Sequence, residues 1–278
     1  MKVAFLQDFF EDEIIGGAEQ NDSVLLHYLE DSGVQIKAVH TYMIDLVIEC
    51  YDFFIVSNFV RLSENAKRYL IDKQNYIIYE HDHKYVSNRN PGAFANFLAP
   101  QHKIINRELY ANARKVFVLS NVCKEVMEQN LKIDNVRSIG CSLWSPEKLS
   151  VIEAAMNTKK QHQYGVLNST NAVKGTQQAL KFCEQNSIQP YEVGSNDYST
   201  FISQLSHCEN FIFFPQVLET YSRVCAEAKM LNCKIVTTPK LVGFFSEEYS
   251  SLAGQPLVDQ IRSKMDAALN EFRNTIIL

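Results

Sequence analysis

The segment Phe214-Pro215-Gln216-Val217-Leu218-Glu219-Thr220-Tyr221-Ser222-Arg223-Val224-Cys225-Ala226-Glu227-Ala228 sets two glutamates eight positions apart in a largely apolar stretch. A hydrophobic core gives no reason for them. Burying a carboxylate is costly unless something pairs with it, so two in such a setting point to polar ligands held at two separated points. With a helix begun near Tyr221, a rise of about 1.5 Å per residue separates them by roughly 10–12 Å. That is too far to share one atom, and it suits two hydroxyl-bearing ends of an elongated ligand. The plain alternative is a pair of solvated or salt-bridged helix carboxylates.

Strand-like runs flank this segment at Phe211 to Phe214 and Lys234 to Thr237, and the same alternation of strand and helix extends through the chain. Lys2 to Leu6 reads as a first strand, followed by a helix from about Ala18 to Asp31 that ends at Gly33. Val34 to His40, Phe53 to Ser57, Tyr76 to Tyr79 and Val116 to Ser120 read as further strands, with helical segments at Glu64 to Asp72 and Val122 to Asn130. Ser145-Pro146-Glu147 is a helix start, and the polar run Asn157 to Gln163 reads as a linker. Beyond it come strands at Tyr164 to Leu167 and Tyr191 to Gly194, a helix at Gly175 to Asn186, and a last helix at Val258 to Phe272. Such alternation predicts an α/β protein with parallel sheets.

At 278 residues the chain can bury one large core or two of ordinary size, and at 46% hydrophobic and 21% charged it is globular. A net charge of −5 gives no global attraction to nucleic acid or anionic membranes. The seven cysteines are scattered without a C-x-x-C pair, which predicts reduced thiols rather than a disulfide framework or zinc site. Asp8, Glu11, Asp12 and Glu13 stand where a signal peptide needs apolar residues, and no apolar run is long enough to span a bilayer. A cytoplasmic location is the expectation.

Three more motifs carry chemistry. Ile14-Ile15-Gly16-Gly17-Ala18-Glu19 follows the first strand and opens the first helix. Without side chains at Gly16 and Gly17 the backbone can approach a diphosphate, and a helix N-terminus offers it free N–H groups; otherwise the loop is a flexible turn. Tyr79-Glu80-His81-Asp82-His83 lies at a strand end, where ligand sites of α/β domains collect. His81 and His83 fit a metal poorly, since alternate strand residues point to opposite faces; the alternative is solvated loop histidines. Val173-Lys174-Gly175 follows the strand ending at Leu167-Asn168, and is either an anion site or an ordinary exposed helix start.

In this order the Gly-Gly-Ala-Glu loop, His81-Asp82, Lys174-Gly175 and Glu219-x7-Glu227 resemble the signature of retaining GT-B glycosyltransferases of the family 4 type, over nearly the whole chain. The compact form, with Glu80-His81-Asp82-His83-Lys84-Tyr85 leading into Arg89-Asn90-Pro91, is similar to glycosyltransferases encoded by bacteriophages and related viruses. The resemblance implies two Rossmann-like domains with parallel sheets facing a central cleft. Residues 1–160 would form the acceptor-side domain, 161–257 the nucleotide-sugar-binding domain, and 258–278 a helix returning toward the first.

The roles it implies are specific. His81 contacts the transferred sugar near the reacting bond, and Asp82 orients that imidazole or an acceptor hydroxyl. Gly16, Gly17 and Lys174 hold the donor diphosphate. Glu219, beside Thr220 and Tyr221, binds the sugar, and Glu227 binds the ribose of a donor expected to be a UDP-sugar. Asn168 stands where the family carries an arginine. No metal is required, and the chain has no Asp-x-Asp motif of the GT-A kind.

For the acceptor, the stretch from His83 to Arg107 has no Asp or Glu and contains Lys84, Tyr85, Arg89, Lys103 and Arg107. Basic side chains hold phosphates and aromatics stack on an exposed base, so His83 and these five are the expected acceptor contacts. A hydroxymethylcytosine-type base in phage DNA is one acceptor implied, and a lipid-linked or surface glycan the other. The stretch is alternatively a mobile loop with ordinary core aromatics. A further reading, favoured by Asn168, is an inactive GT-B module that binds a nucleotide or serves assembly.

Overall fold

The computed structural model describes residues 1–277, which divide into two contact units. Unit 1 comprises Met1–Leu143 with the chain from Lys264 onward, and unit 2 comprises Trp144–Ser263.

Unit 1 begins with β1 (Lys2–Gln7), α1 (Gly17–Asp31), β2 (Gln35–His40), β3 (Phe53–Val56), α2 (Glu64–Lys73) and β4 (Tyr76–Glu80). It continues with α3 (Arg107–Ala111), β5 (Val116–Val118), α4 (Asn121–Leu131) and β6 (Val136–Ser138). The six strands form one parallel sheet in the order β2-β1-β3-β4-β5-β6. β1, β3, β4 and β5 are buried along nearly their whole length, as central parallel strands covered on both faces must be, which is why they read as unbroken apolar runs. Ser63 caps α2 by accepting from the Ala66 N–H, and Gln74 ends that helix in a left-handed conformation.

Unit 2 contains α5 (Pro146–Ala155), β7 (His162–Leu167), α6 (Thr176–Gln185), β8 (Tyr191–Val193) and α7 (Tyr198–Ser206). It continues with β9 (Cys208–Phe213), α8 (Arg223–Met230) and β10 (Lys234–Thr237). Its parallel sheet has the order β10-β9-β7-β8. Ser145 caps α5, with Pro146 at the first turn, as the sequence predicts. Helix α9 (Gly254–Ile277) follows; its residues up to Ser263 belong to unit 2 and those from Lys264 to unit 1. Within unit 1, Phe272 packs on Phe117 and Tyr79 at ring-centroid distances of 4.0 and 4.9 Å, and Glu271 pairs with Lys115 and Arg137.

Both sheets have a topological switch point, the place where successive connections leave in opposite directions and ligands collect. In unit 1 it lies between β1 and β3, and in unit 2 between β7 and β9. All seven cysteines are free thiols, six of them buried; burial pushes Cys225 up to about 12. Among the described residues no helix is long and apolar enough to cross a membrane, and no three His, Cys, Asp or Glu side chains are gathered as a metal ion would need.

Candidate functional site

In unit 2 the switch point brings together residues 45 positions apart. Lys174 Nζ lies 2.8 and 3.0 Å from the two carboxylate oxygens of Glu219. The lysine leaves the loop after β7 and the glutamate the loop after β9. Gly175 makes that meeting possible. It has φ +71, and a Cβ there would lie 1.8 Å from the Phe214 carbonyl oxygen, so only glycine lets the loop press against the end of β9. The Gln216 N–H donates to the Val173 carbonyl at 2.8 Å and locks the same approach. Glu219 is further fixed by its backbone N–H, which donates to Leu241 O at 2.9 Å.

The helix expected from Tyr221 starts two residues later. Ser222 takes φ +73, a left-handed conformation that ends the loop and opens α8 at Arg223. Glu227 therefore sits in the second turn of α8, 3% exposed. Its Oε1 accepts from Trp144 Nε1 and from the Tyr198 hydroxyl, both at 2.9 Å, and Arg223 approaches the same oxygen at 3.8 Å. Burial, with the Glu227 carboxylate beside it, holds the Tyr198 phenol well above its ordinary range and keeps it a donor. Oε2 is the oxygen that these contacts leave for another donor. Tyr221 is buried, with its hydroxyl 2.8 Å from that of Tyr249, and Thr220 is partly buried. Asn168 is exposed and donates to Glu192 at 2.7 Å.

In unit 1 the switch point holds a second polar cluster. His81 follows β4, and its Nε2 lies 2.9 Å from Asp22 Oδ1 on α1; the other Asp22 oxygen accepts from the Ser57 hydroxyl at 2.5 Å. Asp22 is fully buried. Asp82, expected to orient the imidazole, turns instead to Lys84 and Arg89 at 2.8 and 2.9 Å. Three residues before Asp22, Glu19 accepts from Asn58 at 3.0 Å. Its carboxylate folds back over the helix start, where a Cβ on Gly16 would meet Glu19 Oε2 at 2.1 Å. Burial, reinforced by Asp22, raises the Glu19 carboxyl above its ordinary value despite the hydrogen bond from its own backbone N–H. Gly16 is the N-cap and Gly17 the first residue of α1, so the loop has the place predicted for it.

The predicted acceptor contacts are dispersed. Lys84 is 2% exposed and lies 2.7 Å from Glu80, 2.8 Å from Asp82 and 5.3 Å above the Phe59 ring. Burial alone would lower this ammonium, but Asp82 and Glu80 together hold it above its ordinary value. His83 and Tyr85 are also buried, 3.1 Å apart, and the Tyr110 hydroxyl donates to Glu80. Lys84 therefore neutralises the buried Glu80 and the partly exposed Asp82 and presents no charge to a nucleic acid. Arg107 bonds the Asn130 carbonyl at 3.1 Å, while Arg89 and Lys103 are exposed. The basic surface of the expectation thus loses its His83, Lys84 and Tyr85.

No protein-family model matches the chain, and no curated protein matches it in sequence. Solved structures do match over nearly its full length. HepE of Anabaena, in complex with UDP and glucose, is 13% identical with a TM-score of 0.53, covering 99% of this chain and 100% of that one. WaaG, a glycosyltransferase involved in lipopolysaccharide biosynthesis, is 12% identical with a TM-score of 0.53, covering 99% and 92%. An α-glucosyltransferase in complex with UDP and a 13-mer DNA containing a HMU base is 12% identical with a TM-score of 0.52, covering 99% and 94%. Likeness at this identity speaks to the fold, which is GT-B: two α/β units, each on a parallel sheet.

Proposed function

We propose that the protein is a retaining glycosyltransferase that moves a sugar from a UDP-sugar to a hydroxyl acceptor. The observation that carries this reading is the Lys174–Glu219 pair at the unit 2 switch point, with Glu227 held in the following helix. An ammonium clasped by both oxygens of a carboxylate is a matched pair of charges awaiting a ligand that needs each: a diphosphate for Lys174 and sugar hydroxyls for Glu219. Glu227 Oε2 accepts from a ribose hydroxyl. The HepE and α-glucosyltransferase structures each hold UDP, which supports a UDP-sugar as the donor.

In the reaction the bond from the anomeric carbon to the diphosphate oxygen breaks as the bond to the acceptor oxygen forms on the same face. The acceptor proton passes to the departing diphosphate oxygen, so the protein needs no separate base. Lys174 offsets the charge that develops on the leaving group, and His81, fixed by Asp22, contacts the sugar near the reacting bond. Asn168 supplies no charge where the family has arginine, and the inactive-module reading rests on that residue.

A DNA acceptor, as in the α-glucosyltransferase complex, has the exposed Arg89, His102 and Lys103 in its favour and the burial of Lys84 against it. A screen of nucleotide-sugars with mass detection of released nucleotide and free sugar tests the reading. Hydrolysis of one UDP-sugar, lost in Lys174→Ala, is the expected result; no hydrolysis or transfer from any donor would favour the inactive module.

A further inference from the structure

Lys84 is buried, and a buried ammonium is costly unless it is paired. An ion pair in such a place adds little stability over apolar side chains of the same volume, so its role here is sought in geometry. The N–H groups of Lys84 Nζ are all engaged: they donate to Glu80 Oε1 at 2.7 Å, to Asp82 Oδ1 at 2.8 Å and to Asn58 Oδ1 at 3.4 Å. We propose that Lys84 is a positioning residue for His81, one ammonium that braces both sides of the His81–Asp22 contact.

On the imidazole's side, His81 stands in the chain between the two carboxylates that Lys84 holds. Glu80 Oε1 also accepts the Asp82 N–H at 2.9 Å and lies 3.4 Å from the Lys84 backbone nitrogen, while Glu80 Oε2 accepts from the Tyr110 hydroxyl. The turn over residues 80–84 is thus closed on one carboxylate, with His81 inside it. Asn106 donates to the Lys84 carbonyl at 3.0 Å and ties the same turn to the start of α3. His83, at φ +58, is the left-handed residue that brings Lys84 back over the turn.

On the carboxylate's side, Asn58 follows Ser57, the residue whose hydroxyl donates to Asp22 at 2.5 Å. Asn58 donates in turn to Glu19 at 3.0 Å, on the same helix as Asp22. Lys84 therefore reaches the imidazole through the residues on either side of it, and Asp22 through the loop after β3. The Phe59 ring, 5.3 Å from the ammonium, closes over it from that same loop. Resting on the glycosyltransferase reading, the brace holds the ring against the transferred sugar, where a small displacement lowers rate more than affinity. Lys84 acts only through His81, since its charge is enclosed.

The test reads the His81 ring itself, by NMR of the imidazole nitrogens in the full chain. Lys84→Met keeps the apolar stem and removes the ammonium. Glu80→Gln combined with Lys84→Met takes away both buried charges, so that no lone carboxylate is left to unfold the chain. Asn58→Ala, at a partly buried residue, cuts the arm toward β3. The His81 nitrogen signals should shift in every variant that melts as a folded protein, least in Asn58→Ala. With UDP-glucose, kcat for hydrolysis by Lys84→Met should fall about tenfold or more while KM stays within about twofold. Adding Lys84→Met to Asp22→Asn should lower kcat no further, because both act on one contact, whereas a merely structural role multiplies the two losses. Imidazole signals unmoved in the folded variants, or multiplied losses, would overturn the proposal. Shifted signals with no hydrolysis by the wild type would leave the brace standing and count against the glycosyltransferase reading instead.

Discussion

Asp22 on the first helix, and not the chain neighbour Asp82, fixes the imidazole of His81: its Oδ1 lies 2.9 Å from Nε2. Because Ser57 donates to the other Asp22 oxygen, that one carboxylate ties the ring to the helix and to the residue that follows β3.

Asp22→Asn should therefore keep the shape of the cluster while weakening its hold on the ring. We expect turnover to fall about tenfold or more, the scale on which misplacing a contact near a reacting bond is felt. UDP affinity should be unchanged by calorimetry. Asp22→Ala leaves Ser57 and His81 without their acceptor and should also lower stability by about 1–3 kcal/mol in urea titration.

Lys174→Ala and Glu219→Ala should reduce turnover by about 100-fold or more, the scale of a preorganised charge contact. Both should melt near the wild-type temperature. The lysine side chain is 35% exposed, so the pair itself contributes only about 0–1 kcal/mol to folding. Near-normal turnover in either variant would remove that residue from the site.

Glu227→Ala should weaken UDP binding by about 1–3 kcal/mol through loss of a charged hydrogen bond. Trp144→Phe removes one of the two donors that fix the carboxylate and should weaken UDP by less, about 0.5–1.5 kcal/mol. Calorimetry on both variants measures the order. A Trp144→Phe effect exceeding that of Glu227→Ala would mean that the indole, and not the carboxylate, meets the nucleotide.

Glu19 predicts a pH dependence. Its folded-state carboxyl is raised above the ordinary 4.5, so the native state binds this proton more tightly than the unfolded chain. Its contribution to stability is fully present below about 4.5 and is lost as pH rises through the higher folded value. Glu19→Gln should accordingly melt above wild type at pH 7, and the difference should shrink as pH falls below that range. An equal difference at pH 4 and pH 7 would contradict the raised value.

The strands and the glycine loop were legible because central parallel strands are apolar throughout and a Gly-Gly pair marks a tight entry to a helix. β6 spans only Val136–Ser138, too short to show a period, and α7 is rich in serine, threonine and other polar or β-branched residues that favour no single structure. Glu219 and Lys174 could be singled out as residues, but their pairing depends on strand order, which a linear pattern does not carry. Lys84 was misleading for a related reason. Its spacing from Glu80 and Asp82 is visible in the chain, yet its burial comes from His83 at φ +58 and from the Val86–Ile104 bridge, which fold the segment inward. Asp22 gave no signal, since a carboxylate in the second turn of a helix looks like any solvated one.

Unit 1 is not continuous along the chain, because Phe272 and Glu271 complete it from the far end of α9. During synthesis those side chains leave the ribosome only after every residue of unit 2. Tyr79 and Phe117 must wait for their partner through the making of the intervening 144–263, and the first unit begun is the last to be finished.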